Sequence, residues 1–85
     1  MRVVVFYKEA TDYARQVIDY MADFERQTGR PLESMDPESP AGVSLTGTYD
    51  IMEFPTIVAL SDGGEMQYMW RGLPLPTISE VSYYV

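Results

Sequence analysis

The 85-residue chain has no cysteine, no histidine and only one lysine, Lys8. Without cysteine there is no disulfide and no thiolate nucleophile, and without histidine there is no side chain whose ordinary ionisation falls near neutral pH. The usual ligands of zinc, copper, iron–sulfur clusters and haem are missing with them. Oxygen ligands for calcium or magnesium remain, but Asp36, Glu38 and Asp50 lack the spacing of a calcium loop. No metal and no cofactor is therefore expected. A hydrolase is not expected either, because no serine has a base available and no carboxylate pair has a defined separation. The reading is of a protein that is not an enzyme.

Positive charge is also scarce. Thirteen acidic residues against six basic ones leave a formal charge of −7, and Arg2, Arg15, Arg26, Arg30 and Arg71 are scattered among the acids. Displacing counterions from a phosphate backbone needs clustered Lys and Arg, so nucleic acid is excluded as a partner. Long apolar runs are absent too. The opening run, Val3 to Tyr7, is far too short for a signal or membrane segment, so a cytoplasmic protein with no membrane partner is expected.

What is present is material for a core. Hydrophobic residues make up 46% of the chain, including seven tyrosines, three phenylalanines and one tryptophan. A chain of this length buries about 60% of its unfolded surface, enough for one core, so residues 1–85 are expected to form a single domain.

Val3 to Tyr7 (VVVFY) has the β-branched and aromatic composition of a strand buried on both faces. Thr11 or Asp12 is expected to N-cap a helix that runs to about Thr28, where Gly29 and Pro31 stop it. Ala14, Val17, Ile18, Met21 and Phe24 form its apolar face, and Arg15–Asp19 and Asp23–Arg26 are surface ion pairs on the other. Leu32 to Asp36 alternates as an edge strand does. Pro37 and Pro40 then bracket a turn into a second helix toward Tyr49, and its Gly and Thr content predicts one or two irregular turns. Thr56 to Leu60 (TIVAL) and Glu65 to Trp70 read as a hairpin around Ser61-Asp62-Gly63-Gly64, with Met66, Tyr68 and Trp70 on one face. Gly72 and Leu73-Pro74-Leu75-Pro76 end the hairpin, and Thr77 caps a short closing helix carrying Ile78 and Val81.

The predicted order is β-α-β-α-β-β-α. Together with the segment Tyr49-Asp50-Ile51-Met52-Glu53-Phe54-Pro55-Thr56-Ile57-Val58, it resembles the thioredoxin-like superfamily in its glutaredoxin-sized form. The resemblance implies an α/β fold with a four-stranded mixed sheet and helices on both faces. It also implies a cis-proline at Pro55, with the Phe54 backbone available to pair with an extended ligand. Phe6 to Ala14 aligns so that Thr11 and Ala14 occupy the two positions of the family's CxxC cysteines, with Tyr13 between them. Both cysteine positions are empty. A threonine hydroxyl at a helix start gains no useful ionisation and has no base, so the family's dithiol chemistry is not available. Lys8 matches a lysine that glutaredoxins use near a glutathione carboxylate, whereas Arg71-Gly72-Leu73-Pro74 stands where the family carries a glycine pair and aspartate.

Three readings follow. The first is a redox-inactive module that binds a protein or peptide in a groove formed by Lys8, Thr11, Tyr13, Phe54, Pro55, Arg71 and Gly72, with Tyr7 and Trp70 as further lining. The second is a remnant glutathione-binding or thiol-transferase-like protein that depends on Lys8 and Phe54. The third is a structural subunit of an oligomer or larger complex, in which a partner covers Ser82-Tyr83-Tyr84-Val85 unless those tyrosines fold back on the sheet.

Overall fold

Two β-branched runs, β1 (Arg2–Phe6) and β3 (Thr56–Leu60), lie antiparallel at the centre of a four-stranded sheet in the computed structural model, which describes residues 1–85. β2 (Glu33–Met35) runs parallel to β1 at one edge, and β4 (Met66–Arg71) runs antiparallel to β3 at the other, giving the order β2-β1-β3-β4. The helices are α1 (Ala14–Thr28), α2 (Pro40–Thr48) and α3 (Ile78–Ser82).

Strand alternation divides the apolar residues between two cores. Val3, Val5, Tyr7, Ile57 and Ala59 face α1 and α3, packing with Ala14, Val17, Phe24 and Val81. Val4, Phe6, Val58 and Leu60 face the other way and pack with Ile51, Leu45 and Tyr49 on the α2 side. Helices therefore cover both faces. Burying a Val, Leu, Ile or Phe fully contributes about 1.5 to 3 kcal/mol, which is why the two central strands tolerate almost no polarity. Their one buried polar residue, Thr56, donates its Oγ1 hydrogen to the Glu53 carbonyl at 2.6 Å.

α1 ends as expected, with Gly29 at φ 73° donating its N–H to the Glu25 carbonyl at 2.8 Å. Its start is different. Neither Thr11 nor Asp12 caps it; the N-cap is Tyr13, which makes no side-chain cap bond. Thr11 is held elsewhere, donating its hydroxyl to the Lys8 carbonyl at 2.6 Å. The apolar stripe is also rotated from the expected one: Ile18 is 46% exposed, whereas Tyr20 and Met21 pack toward the core. At 100° per residue, Ile18 and Tyr20 lie on opposite flanks of a stripe centred on Ala14, Val17, Met21 and Phe24, and the core covers the Tyr20 flank.

α2 is more regular than its composition predicts, nine residues opened by Pro40 and capped by Ser39, whose Oγ accepts the Gly42 N–H at 3.0 Å. Gly42 is required by packing. A Cβ there would overlap the Asp36 carbonyl oxygen and lie 2.9 Å from Pro37 Cα, both backbone atoms. At the hairpin, a register shift opposite Ala59 and Leu60 pairs Met66 with Leu60 but Tyr68 with Ala59. Those partners point to opposite faces, so Met66 does not share a face with Tyr68 and Trp70. One extra residue in a strand inverts the alternation beyond it. α3 closes the chain with a full capping box between Thr77 and Glu80, at 3.1 and 3.0 Å. No helix is long and apolar enough to cross a membrane.

Candidate functional site

Three segments meet where β1 ends, β3 begins and β4 ends: the loop Lys8–Tyr13, the turn Phe54–Pro55, and Arg71–Gly72. The Lys8 Nζ lies 5.4 Å from the centre of the Phe54 ring, a cation–π contact between two half-buried residues worth about 1 kcal/mol. The Lys8 backbone N–H donates to the Tyr13 hydroxyl at 3.2 Å, and its carbonyl accepts from Thr11, so the loop folds around this one residue. Gly72 donates its N–H to the Pro55 carbonyl at 2.8 Å, continuing the ladder one residue past the Thr56–Arg71 pair. The Phe54–Pro55 bond is cis.

Gly72 sits at φ 68°, and a Cβ there would be 2.9 Å from Oε2 of Glu53, so glycine serves both backbone and neighbour. The backbone N–H and C=O of Phe54 make no hydrogen bond within the chain. Lys8 is in no ion pair. Together they leave one cation and one free peptide donor–acceptor pair on a common ledge.

All seven residues expected at the groove are thus brought to this end of the sheet, but they do not enclose one. None of the three concavities of the surface is bounded by them. The further aromatic lining is corrected too. Tyr7 is buried in the α1-side core, where burial and then the charge of Glu9 push its phenol above its ordinary value. Trp70 packs on the α1 and α3 face against Tyr68 and Tyr84. Tyr13 and Phe54 stay half-buried at this end of the sheet, Tyr13 against the α1-side core and Phe54 against the α2-side core, while Pro55 is fully buried and lines no surface.

The two positions aligned with the family's cysteines hold no nucleophile. Ala14 is buried as the first residue of α1, and Thr11 is half-buried with its hydroxyl donated to Lys8. No cluster of His, Cys, Asp and Glu is placed to hold a metal ion. The ledge can accept hydrogen bonds, donate them and attract an anion.

The architecture is a thioredoxin-like α/β fold. In particular, the chain is similar to thioredoxin 1 from the thermophilic eubacterium Thermosipho africanus, with a TM-score of 0.67 and 14% sequence identity over 99% of this chain and 89% of that one. No protein-family model matches the sequence. No curated protein matches it either. The likeness is one of backbone, and the thiol chemistry of a CxxC pair has no counterpart in a chain without cysteine.

Proposed function

We propose that this domain is a redox-inactive binding module that takes an extended segment of a protein or peptide across the Lys8, Phe54–Pro55 and Gly72 ledge. The observation that carries this is the N–H and C=O of the half-buried Phe54, which make no hydrogen bond within the chain beside a strand end that no concavity encloses. An extended chain supplies what such an edge lacks, a complementary donor and acceptor at strand spacing. A small compact ligand would be held on one side only.

Amide chemical-shift mapping tests the proposal with extended peptides selected for binding from a random library. The expected result is shifts at Lys8, Thr11, Phe54 and Gly72, with Phe54→Ala weakening binding less than Phe54→Pro, which removes the backbone donor. Shifts confined to the opposite end of the sheet would refute it.

The free ammonium of Lys8 supports a second reading, binding of glutathione through a carboxylate without any covalent step. Calorimetric titration with reduced and oxidised glutathione decides that case, and no heat at millimolar ligand rejects it.

A further inference from the structure

On the α1 and α3 face, away from the ledge, four aromatic rings come together beside a carboxylate. Tyr68 and Trp70 from β4 and Tyr83 and Tyr84 from the C-terminal end border a shallow groove of about 390 Å³, completed by Ser79 and Glu80 of α3. The ring centres of Tyr68 and Tyr84 are 6.0 Å apart at 24°, and Trp70 stands edge-on to Tyr84 at 5.5 Å and 76°. Tyr83 stands edge-on to the same ring at 5.1 Å and is 82% exposed.

Three features give the groove a sign. Aromatic faces are electronegative, so the ring faces that the mutual packing of these aromatics leaves open along the groove attract positive charge. Glu80 adds a full charge. One of its oxygens, Oε2, is fixed by the Thr77 N–H, which prevents the side chain from swinging away and leaves the other oxygen free. No lysine or arginine is among the lining residues. An apolar occupant would strip water from the free carboxylate oxygen without compensation, and an anion would meet repulsion on every side. A cation with a greasy surface satisfies both the rings and the carboxylate.

We infer that this groove is a binding site for a quaternary or methylated ammonium group, carried by a small molecule or by a methylated lysine side chain. The group's methyls pack on Tyr68, Trp70 and Tyr84 while its charge is held by Glu80. The site is independent of the peptide-binding ledge, and neither stands on the other.

Trp70 is the chain's only tryptophan, so its fluorescence reports the groove directly. Titration at constant ionic strength compares choline with 3,3-dimethyl-1-butanol, its uncharged carbon isostere, and a further arm uses a short peptide bearing trimethyllysine. Choline is expected to change the Trp70 signal saturably and to bind about tenfold more tightly than the isostere. Relative affinities of choline and the peptide distinguish a small-molecule source from a protein one. Glu80→Gln keeps the capping box, since glutamine serves there too, and is expected to weaken choline several-fold while leaving the isostere unchanged. Equal binding of choline and the isostere, no response to any ligand, or an indifferent Glu80→Gln variant would each overturn the assignment.

Discussion

Two glycines in one helix make opposite predictions on replacement by alanine. Gly within a helix is about 0.5 to 1 kcal/mol less favourable than Ala, through backbone entropy and exposed peptide groups. Gly47 has nothing within 4 Å of where a Cβ would stand, so Gly47→Ala should raise stability by about 0.5 kcal/mol, the lower end because it lies in the last turn. Gly42 has the same propensity to gain but meets the carbonyl of Asp36 and Cα of Pro37, neither of which can rotate away. Relief requires α2 to move off the Asp36–Pro37 turn, and overpacking of this kind costs about 1 to 3 kcal/mol. The steric effect outweighs the propensity gain, and Gly42→Ala should be less stable than the parent by about 1 to 2 kcal/mol. Urea unfolding followed by far-ultraviolet circular dichroism separates the two, with the slope checked for constancy. A Gly42→Ala protein as stable as Gly47→Ala would show that α2 does not pack on this turn, and the account of why that glycine is there would fall.

Two further predictions concern titrating groups. The Tyr20 hydroxyl is buried without a hydrogen-bond partner, and burial, reinforced by the charge of Glu80, pushes its ionisation up to about 12. Because the folded value lies above the unfolded one, near 10, Tyr20's contribution is intact below pH 10 and is lost as pH rises toward 12. Tyr20→Phe should be more stable by about 1 kcal/mol at neutral pH and lose less stability at alkaline pH; a destabilised variant would point to a partner for the hydroxyl. At the other end of the scale, the hydrogen bond from Arg2, at 2.5 and 2.8 Å, holds the Glu33 carboxyl below its ordinary value. Its contribution is present above about pH 4.3 and lost as pH falls through the lowered folded value, so Glu33→Gln should flatten the acid limb of a pH–stability profile. Both side chains are nearly half exposed, which limits the effect to under about 1 kcal/mol.

The fold was legible because its central strands leave little choice. VVVFY and the IVAL of TIVAL are apolar without interruption, Gly29 and Pro31 punctuate α1, and Thr77 stands where α3 needs its cap. Local chemistry decided these elements, and tertiary contacts agreed with it. The misreadings have separate causes, one of them as local as the signal it displaced. Thr11 had a carbonyl to bond at Lys8 and so was not a cap. Ile18 fits a helical face by spacing alone, but the stripe's centre is set by what β1 and β3 present. The shift opposite Ala59 and Leu60 inverted the alternation of Met66, and nothing in the residues between Gly64 and Tyr68 announces it.

The candidate site was partly legible. The segments of the ledge could be placed together through the Tyr49 to Val58 resemblance, but its openness is a property of surface shape that no residue type encodes. The aromatic groove was not legible as a site. It joins residues 68 and 70 to residues 79–84, and only the path of α3 over the sheet brings Glu80 to those rings.

The division of β1 and β3 between two apolar cores carries a consequence for how the chain finds its alignment. In a sheet with one wet face, a one-residue slip puts greasy side chains in water and is rejected at once. Here a slip would exchange Val3, Val5 and Tyr7 for Val4 and Phe6, trading one sealed compartment for the other. Polarity cannot tell the two placements apart. The deciding information sits at the rims, where Arg2 meets Glu33 and the Met1 amino group meets Asp62. These polar contacts act as keys cut into an otherwise featureless shaft: each is weak, but each is satisfied in only one alignment.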